Sequence, residues 1–328
     1  ACRSHRLQRQ TGASTDDAFR WLVCRLRLLV AARLPGARML GMTERDPYHS
    51  HSFEELCALP LVYQADLFAD QVVLITGAAG GIGKAMSVLF GRLGATIVAT
   101  GRTEASLARL AADLATIDVL CETVTMTIRD SDAVAATIDQ AASAHGRIDH
   151  VINNAGGQFS AEALDITPKG WAAVVETNLY GTWYMMQEAA RRWIADTQPG
   201  NIINISTIQG RASVGIPHTA AARAGGVALT RSLAVEWAPH DIRVNSIAVG
   251  VVASEGLQTY PAEAKASFGH NPMRRLGDVW DVAQGAAYLA SPAADFITGT
   301  HLEITGGEHI WGEYWPLGKP DYFRTTHD

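Results

Sequence analysis

The stretch Thr76-Gly77-Ala78-Ala79-Gly80-Gly81-Ile82-Gly83 decides the fold of this 328-residue chain. It directly follows the apolar run VVLI at residues 72–75, and it opens a helical pattern over residues 84–93. Glycine suits such a turn because the backbone must bend sharply and lie close to a phosphate, whose charge is met by N–H groups at the helix start. The stretch therefore predicts a strand, a tight turn and a helix that together bind the pyrophosphate of a dinucleotide.

Strand and helix patterns alternate along the rest of the chain. Apolar runs predict strands at residues 72–75, 95–100, 119–126, 149–152, 201–205, 243–247 and 300–304. Helical patterns lie between them, at residues 84–93, 104–116, 132–144, 170–194 and 225–237. This alternation predicts one α/β domain of the Rossmann-like, doubly wound kind, with a seven-stranded parallel sheet and helices on both faces. Ligands are expected at the carboxyl ends of the strands.

Composition divides the chain into four segments. They are an Arg-rich leader (1–41), an N-terminal extension (42–67), the dinucleotide-binding catalytic domain (68–310) and a C-terminal tail (311–328). The apolar part of the leader, residues 21–34, is interrupted by arginines and is too short to span a bilayer, so no membrane span is expected. Such segments are typical of transit peptides and membrane-surface helices. The polar stretch that begins at Met42 instead favours Met42 as the natural start, with the leader outside the fold.

Charge and cysteine content exclude several functional classes. The leader holds eight arginines against two aspartates and is therefore +6, which leaves −12 for the rest of a chain whose total is −6. An acidic body argues against a nucleic-acid partner. The four cysteines have no C-x-x-C spacing, so they predict neither a metal site nor a disulfide framework. A reducing, cytoplasmic compartment is expected.

The end of the second predicted strand bears on the choice of cofactor. In NAD-binding units, an acidic residue about 20 positions after the glycines holds the ribose hydroxyls. Here Gly101 and Arg102 occupy that region. A guanidinium suits a 2′-phosphate through charge-assisted hydrogen bonds. The sequence therefore favours NADP (NADPH) over NAD as the cofactor, although Arg102 as a solvated surface charge remains the alternative.

Four motifs in fixed order extend this pattern: TGAAGGIG (76–83), NNAG (153–156), ETNLYGT (176–182) and IRVNSIAVG (242–250). Together they resemble the short-chain dehydrogenase/reductase family across residues 68–310. Within that family, residues 218–239 and 291–299 are most similar to peroxisomal trans-2-enoyl-CoA reductases and 2,4-dienoyl-CoA reductases. Residues 63–77 and the WGEYWPL of the tail are similar to bacterial citronellol-type dehydrogenases. The two likenesses overlap, so neither fixes the substrate.

The resemblance implies a role for each residue that matches a family motif. The implied cofactor-binding residues are Gly77, Gly81, Ile82, Gly83, Arg102, Asn154, Gly156, Arg223, Val252 and Ser254. The implied catalytic residues are Asn178, Thr207, Thr219 and Arg223. Asn178 matches an asparagine that holds a water or binds a substrate carbonyl, although it could instead only bridge strands. Thr207 matches the catalytic serine of the family, with a structural threonine as the alternative.

The largest departure falls at the catalytic pair of the family, Tyr-x-x-x-Lys, where this chain has Thr219 and Arg223. Arginine can still position the nicotinamide ribose, but it does not release a proton. Threonine has no phenol to act as an acid near neutral pH, and it could merely pack. The extra tyrosine that dienoyl reductases carry just after Ile208 is Gln209 here. The usual proton relay is therefore expected to be missing.

These departures favour a reaction that needs no positioned phenol. Reduction of a conjugated enoyl or dienoyl thioester leaves negative charge on an enolate oxygen, which hydrogen-bond donors can stabilise while water protonates the carbon. An alternative is an alcohol dehydrogenase or ketoreductase for a hydrophobic compound such as a terpenoid, with His218, Tyr180 or Tyr184 as the acid. A further alternative is a silent dinucleotide-binding protein. By resemblance, a homodimer or homotetramer is expected.

Overall fold

The computed structural model describes residues 48–210, 212–260, 265, 268, 271–312, 316 and 320. The leader at 1–41 and nearly all of the tail at 311–328 therefore lie outside the described residues, together with the expectations made for them. Within the described residues, no helix combines the length and the apolar character needed to cross a bilayer.

The main sheet has seven parallel strands, as the sequence predicts. They are β1 Val72–Thr76, β2 Thr96–Gly101, β3 Cys121–Thr125, β4 His150–Asn153, β5 Gly200–Thr207, β6 Ile242–Val249 and β9 His301–Ile304. Their order is β3-β2-β1-β4-β5-β6-β9, so the direction of winding reverses between β1 and β4. Such a switch point opens a crevice at the carboxyl ends of the strands. A separate two-stranded ladder pairs β7 (Val252–Ala253) with β8 (Gly277–Asp278).

Helices cover both faces of the sheet. In the described residues they are α1 Phe53–Ala58, α2 Gly81–Arg92, α3 Glu104–Ala115, α4 Ser131–His145, α5 Pro168–Val175, α6 Gly181–Asp196, α7 Pro217–Trp237 and α8 Val279–Ala290. Alternate side chains of β1 enter different cores. Val73 and Ile75 pack with α2, α3 and α8. Val72 and Leu74 pack with α4, α6 and α7. Because side chains alternate along a strand, this burial on both sides explains the continuous apolar runs.

Two helices differ from the sequence prediction. The helix expected at 170–194 runs from 168 to 196 and contains a π-helical turn, Glu176–Tyr180, between α5 and α6. The helix expected at 225–237 begins eight residues earlier, at Pro217. Proline is well suited to the first turn of a helix because its missing N–H has no intrahelical partner there. The glycine pair at 225–226 therefore lies inside α7 and does not mark its start.

The N-terminal extension contributes to the core. Ser52 caps α1 by accepting a hydrogen bond from the Glu55 N–H at 3.2 Å, and the Glu55 carboxylate accepts one in return from the Ser52 N–H at 2.8 Å. Leu56 of this helix is completely buried in the cluster that holds α2 and α8. Arg92 on α2 donates to the Leu56 carbonyl oxygen at 2.9 Å. The extension is thus anchored through both side-chain burial and backbone contacts.

Candidate active site

A cavity of about 570 Å³ opens at the carboxyl ends of β1 to β4. The glycine-rich turn forms one wall, and Gly77 adopts a φ of +64° there. Gly83 lies in the first turn of α2, where an added Cβ would overlap the carbonyl oxygen of Gly77. Only glycine at Gly83 allows α2 to approach β1 this closely, so the N–H groups of Gly81 and Ile82 are presented to the cavity at the helix start.

Asn154 supports this turn from the neighbouring strand. Its amide nitrogen donates to the carbonyl oxygens of Thr76 and Gly77, at 3.0 and 3.1 Å. Its backbone N–H donates to the hydroxyl of Thr76 at 3.0 Å. The asparagine therefore ties β4 to the glycine-rich turn. This contact explains physically why an asparagine belongs at this position of the NNAG motif.

Two arginines line the far end of the cavity, at the ends of β2 and β3. Arg129 forms an ion pair with Glu176, whereas Arg102 makes no ion pair or side-chain hydrogen bond with the described residues. The Arg102 side chain is exposed. An unpaired guanidinium at this edge is available for the phosphate of a ligand.

The loop after β6 closes the opposite side of the turn. Ser254 and Glu255 line the cavity, and Val252 is buried in β7 just before them. The Glu255 carboxylate accepts a hydrogen bond from Lys84 of α2 at 3.0 Å. It lies about 3.5 Å from the position of a Cβ on Gly80. A carboxylate so close to the predicted phosphate site was not anticipated from the sequence, because the pairing with Lys84 spans 171 residues.

Gly156, Asn178 and Arg223 meet at the centre of the site. A Cβ on Gly156 would overlap the Arg223 guanidinium and lie 2.9 Å from Asn178 Oδ1. The Asn178 amide donates to the Gly157 carbonyl oxygen at 2.8 Å and accepts from the Gly157 N–H at 3.0 Å. Asn178 lies in the π-helical turn, which directs it toward this loop. One of its two N–H donors is therefore committed to the Gly157 backbone.

Arg223 is a half-buried cation. It lies in α7, and its Nη1 donates to the carbonyl oxygen of Ile205 in β5 at 2.8 Å. Burial lowers the pKa of its guanidinium to about 10, so the group is still charged at neutral pH. None of the carboxylates in the described residues forms an ion pair with it. A half-buried positive charge without a counter-ion suits a site where a ligand brings hydroxyls or negative charge.

Thr207 and Thr219 lie on adjacent elements of the same site. Thr207 ends β5, and Thr219 lies in the first turn of α7 with almost no solvent exposure. The Thr219 N–H donates to His218 Nδ1 at 2.8 Å. Gln209 turns back and donates to the Thr207 carbonyl oxygen at 2.9 Å. Neither threonine is among the residues that line the cavity, so their assignment to the reacting centre stays a prediction.

From sequence, a histidine beside Pro217 in a predicted loop is expected to lie at the surface, and for His218 that expectation is wrong. His218 lies in the first turn of α7 and is fully buried, because the helix begins at Pro217. Its ring packs against Phe159 with centroids 4.6 Å apart, and against Trp171 at 6.4 Å. Since Nδ1 accepts from Thr219, the neutral imidazole carries its proton on Nε2. That buried Nε2 has no hydrogen-bond partner among the described residues.

The aromatic lining of this pocket was missed by sequence reasoning. Phe159 and Trp171 are each 42% exposed, and they border the pocket beside His218. Phe159 lies in the loop after β4 and Trp171 lies in α5, and local patterns give no signal that their side chains converge on His218. The two tyrosines considered as acids have other surroundings. Tyr180 is half exposed, and Tyr184 packs against the core formed by α4, α6 and α7.

The residues present fit a nicotinamide dinucleotide. The helix start at Gly81 would meet the pyrophosphate, and the unpaired Arg102 lies at the end of the cavity where the adenosine ribose of such a cofactor belongs. Gly156 lines the other end of the cavity with the Arg223 guanidinium packed against it, and that uncompensated charge suits the hydroxyls of a nicotinamide ribose.

Comparison with known proteins agrees with this geometry. A family model described as Enoyl-(Acyl carrier protein) reductase matches residues 77–309. A probable 2,4-dienoyl-CoA reductase of Bacillus subtilis (strain 168) is 37% identical over 246 residues, which cover 73% of this chain and 97% of that protein.

The chain belongs to the short-chain dehydrogenase/reductase family. Two solved structures of this family superpose with a TM-score of 0.69. A short chain dehydrogenase from Bacillus anthracis is 38% identical and covers 75% of this chain and 98% of its own. The citronellol catabolism dehydrogenase of Pseudomonas aeruginosa PAO1 is 29% identical and covers 76% and 98%. The protein is therefore an NAD(P)-dependent short-chain oxidoreductase, and the family resemblance drawn from its motifs is confirmed.

Proposed function

We propose that this protein uses NADPH to reduce the conjugated double bond of an enoyl or dienoyl thioester. The observation that carries the proposal is the replacement of the family's Tyr-x-x-x-Lys pair by the buried Thr219 and the half-buried, uncompensated Arg223. The dienoyl-CoA reductase of Bacillus subtilis supplies the substrate class, since it is 37% identical to this chain. The unpaired Arg102 supports NADPH over NADH.

Bound NADPH supplies the hydride, and the chain's own groups stabilise the charge that develops on the thioester oxygen. Thr207, Thr219 and the second N–H of Asn178 are the donors proposed for that oxygen. Arg223 holds the nicotinamide ribose hydroxyls, and its fixed charge favours a nearby anion. Phe159 and Trp171 form an apolar wall for the acyl chain. A water molecule then protonates the carbon, so no phenol is required.

The second candidate is a ketoreductase or alcohol dehydrogenase with His218 as the acid. The buried, unpartnered Nε2–H of His218 favours it, because such a group can donate a hydrogen bond to the carbonyl oxygen on which hydride transfer builds negative charge. The structural similarity to the citronellol catabolism dehydrogenase is a further reason to test terpenoid substrates. In both cases the proposal includes a homodimer or homotetramer in the cytoplasm.

A substrate panel tests the proposal. NADPH oxidation is measured with trans-2-enoyl-CoA, 2,4-dienoyl-CoA, ketone and terpenoid aldehyde substrates, for the wild type and for His218→Phe. Consumption with the thioesters that survives His218→Phe supports the enoyl reductase. Activity on saturated carbonyls alone, lost in His218→Phe, contradicts it and identifies the second candidate. Cofactor binding without turnover on any substrate would leave a silent dinucleotide-binding protein.

A further inference from the structure

A cluster of metal-binding side chains lies in the N-terminal extension, away from the cofactor cavity. His49, His51 and Glu55 each offer one ligand atom, and these atoms all lie within 4.8 Å of one another. His49 Nε2 is 2.8 Å from Glu55 Oε2, and His51 Nδ1 is 3.8 Å from the same oxygen. In a tetrahedral zinc site with bonds near 2.0–2.2 Å, ligand atoms are about 3.3 Å apart. The two measured distances to the Glu55 oxygen, 2.8 Å from His49 and 3.8 Å from His51, lie on either side of that value.

The second imidazole nitrogen of His51 is already held by a carboxylate. His51 Nε2 is 2.6 Å from Asp278 Oδ2, and Asp278 is the N-cap residue of α8. An ionised carboxylate only accepts hydrogen bonds, so Nε2 carries the proton and the lone pair of the neutral ring is on Nδ1. Histidines that bind metals typically donate their other N–H to a carboxylate in this way, which orients the ring and raises its basicity.

The lone pair on His51 Nδ1 has no donor. The residue is 6% exposed, and Nδ1 is buried without a hydrogen-bond partner. An unsatisfied buried nitrogen costs free energy, and few persist in folded proteins without a reason. Nδ1 lies 3.8 Å from the Glu55 carboxylate, which is an acceptor and cannot satisfy a lone pair. A cation beside Nδ1 would accept this lone pair, and the carboxylate would balance its charge.

We infer that His49, His51 and Glu55 bind a divalent transition-metal ion such as Zn²⁺, with Asp278 orienting His51. Two imidazoles and one carboxylate are ligands that zinc and its neighbours in the first transition series accept, whereas Mg²⁺ and Ca²⁺ prefer oxygen. The site joins the segment before α1 to the start of α8. The spacing of the cysteines predicted no metal site. That prediction does not concern this cluster, because its ligands are two histidines and a glutamate.

Zinc titration of the full chain, after treatment with a chelator, tests the inference. The melting temperature should rise by roughly 5 °C at a Zn²⁺ concentration a hundredfold above Kd. Co²⁺ in place of Zn²⁺ should give visible d–d absorption of a tetrahedral site. His51→Gln and His49→Gln should each remove both signals. Asp278→Asn keeps a capping side chain, and it should weaken metal binding about 10- to 100-fold.

Matched variants separate this cluster from other histidines. His145→Gln alters a histidine that pairs with Glu122 on another part of the surface, and it should leave the zinc response unchanged. Because His51 is buried, His51→Gln could fail to fold, but His49 is 38% exposed on its side chain and His49→Gln gives the same answer without that risk. Absence of a thermal shift in the wild type, or a shift that persists in His49→Gln, would overturn the inference.

Discussion

At the scale of single residues, the cofactor choice depends on Arg102. Its guanidinium is exposed at the rim of the cavity, and it makes no ion pair with the residues that the structure describes. Arg129, the other arginine of this wall, is engaged by Glu176. The two look alike in sequence, and only the structure separates the paired one from the unpaired one.

Arg102→Glu should weaken NADPH binding at least tenfold and change NADH binding little. The introduced carboxylate repels a 2′-phosphate, and it can accept hydrogen bonds from the ribose hydroxyls of NADH. Dissociation constants for both cofactors, from fluorescence titration, check this. Arg129→Gln is the control and should alter both cofactors equally. Equal losses for NADPH and NADH in Arg102→Glu would contradict the preference for NADP.

Asn178→Ala should cut turnover strongly while leaving NADPH affinity nearly intact. The substitution removes a donor proposed for the enolate oxygen, and it removes the side chain that pairs with the N–H and C=O of Gly157. Gly157 is exposed, so water can replace these bonds, and we expect a loss of only about 0.5–1.5 kcal/mol per bond and a small fall in melting temperature. Steady-state kinetics with an enoyl thioester, read beside the NADPH dissociation constant, provide the measurement. Unchanged turnover would exclude Asn178 from the reacting centre.

At the scale of elements, the glycine-rich turn and α7 show what a sequence pattern can and cannot fix. The turn was predictable because a tight turn and close helix approach leave glycine as the fitting residue at Gly83. The start of α7 was not. The glycine pair 225–226 suggested a later beginning, whereas α7 starts at Pro217, packs against β5 and β6, and continues through both glycines. Contacts between distant segments overrode the local preference.

Two alanine substitutions compare these helices directly. Gly83→Ala would push a methyl group into the Gly77 carbonyl oxygen, so we expect lower stability and loss of NADPH binding. Gly226→Ala meets nothing within 4 Å, and it should stabilise α7 by about 1 kcal/mol because alanine is the better helix former. Urea denaturation of both variants gives the free energies of unfolding. Tolerance of alanine at Gly83 would contradict the close packing of α2 on β1.

At the scale of the whole molecule, the alternation of strands and helices predicted the sheet because a parallel strand buried on both faces is apolar throughout. The residues that line the substrate pocket were less accessible to such reasoning. His218 reaches its partners Phe159 and Trp171 only through tertiary packing, because both lie more than 40 residues before it in the chain. The spacing of apolar residues along a helix or strand indicates which of its faces is buried. It does not indicate which other element covers that face.

Stability should decrease as the pH falls from 6.5 toward 4. His150 accepts a hydrogen bond from Asn201 and faces Gln71 in the core, and its burial lowers its pKa from 6.5 to about 4. Between pH 6.5 and pH 4, the unfolded chain binds a proton at His150 that the folded protein does not bind. The free energy of unfolding therefore decreases as the pH is lowered through this range, and the whole contribution of His150 is present above pH 6.5. Urea denaturation across this range checks it. His150→Asn should flatten the pH dependence, whereas substitution of the exposed His240 should not.

The burial of Leu56 has a practical meaning for anyone who shortens this polypeptide by genetic engineering. A cut placed downstream of α1 would strip a fully enclosed leucine from the cluster it shares with α2 and α8. Replacing such a leucine by alanine alone costs about 2–5 kcal/mol, and losing the whole helix would also expose the apolar surface beneath it. Any trimmed version meant for crystallisation should therefore retain everything from Tyr48 onward.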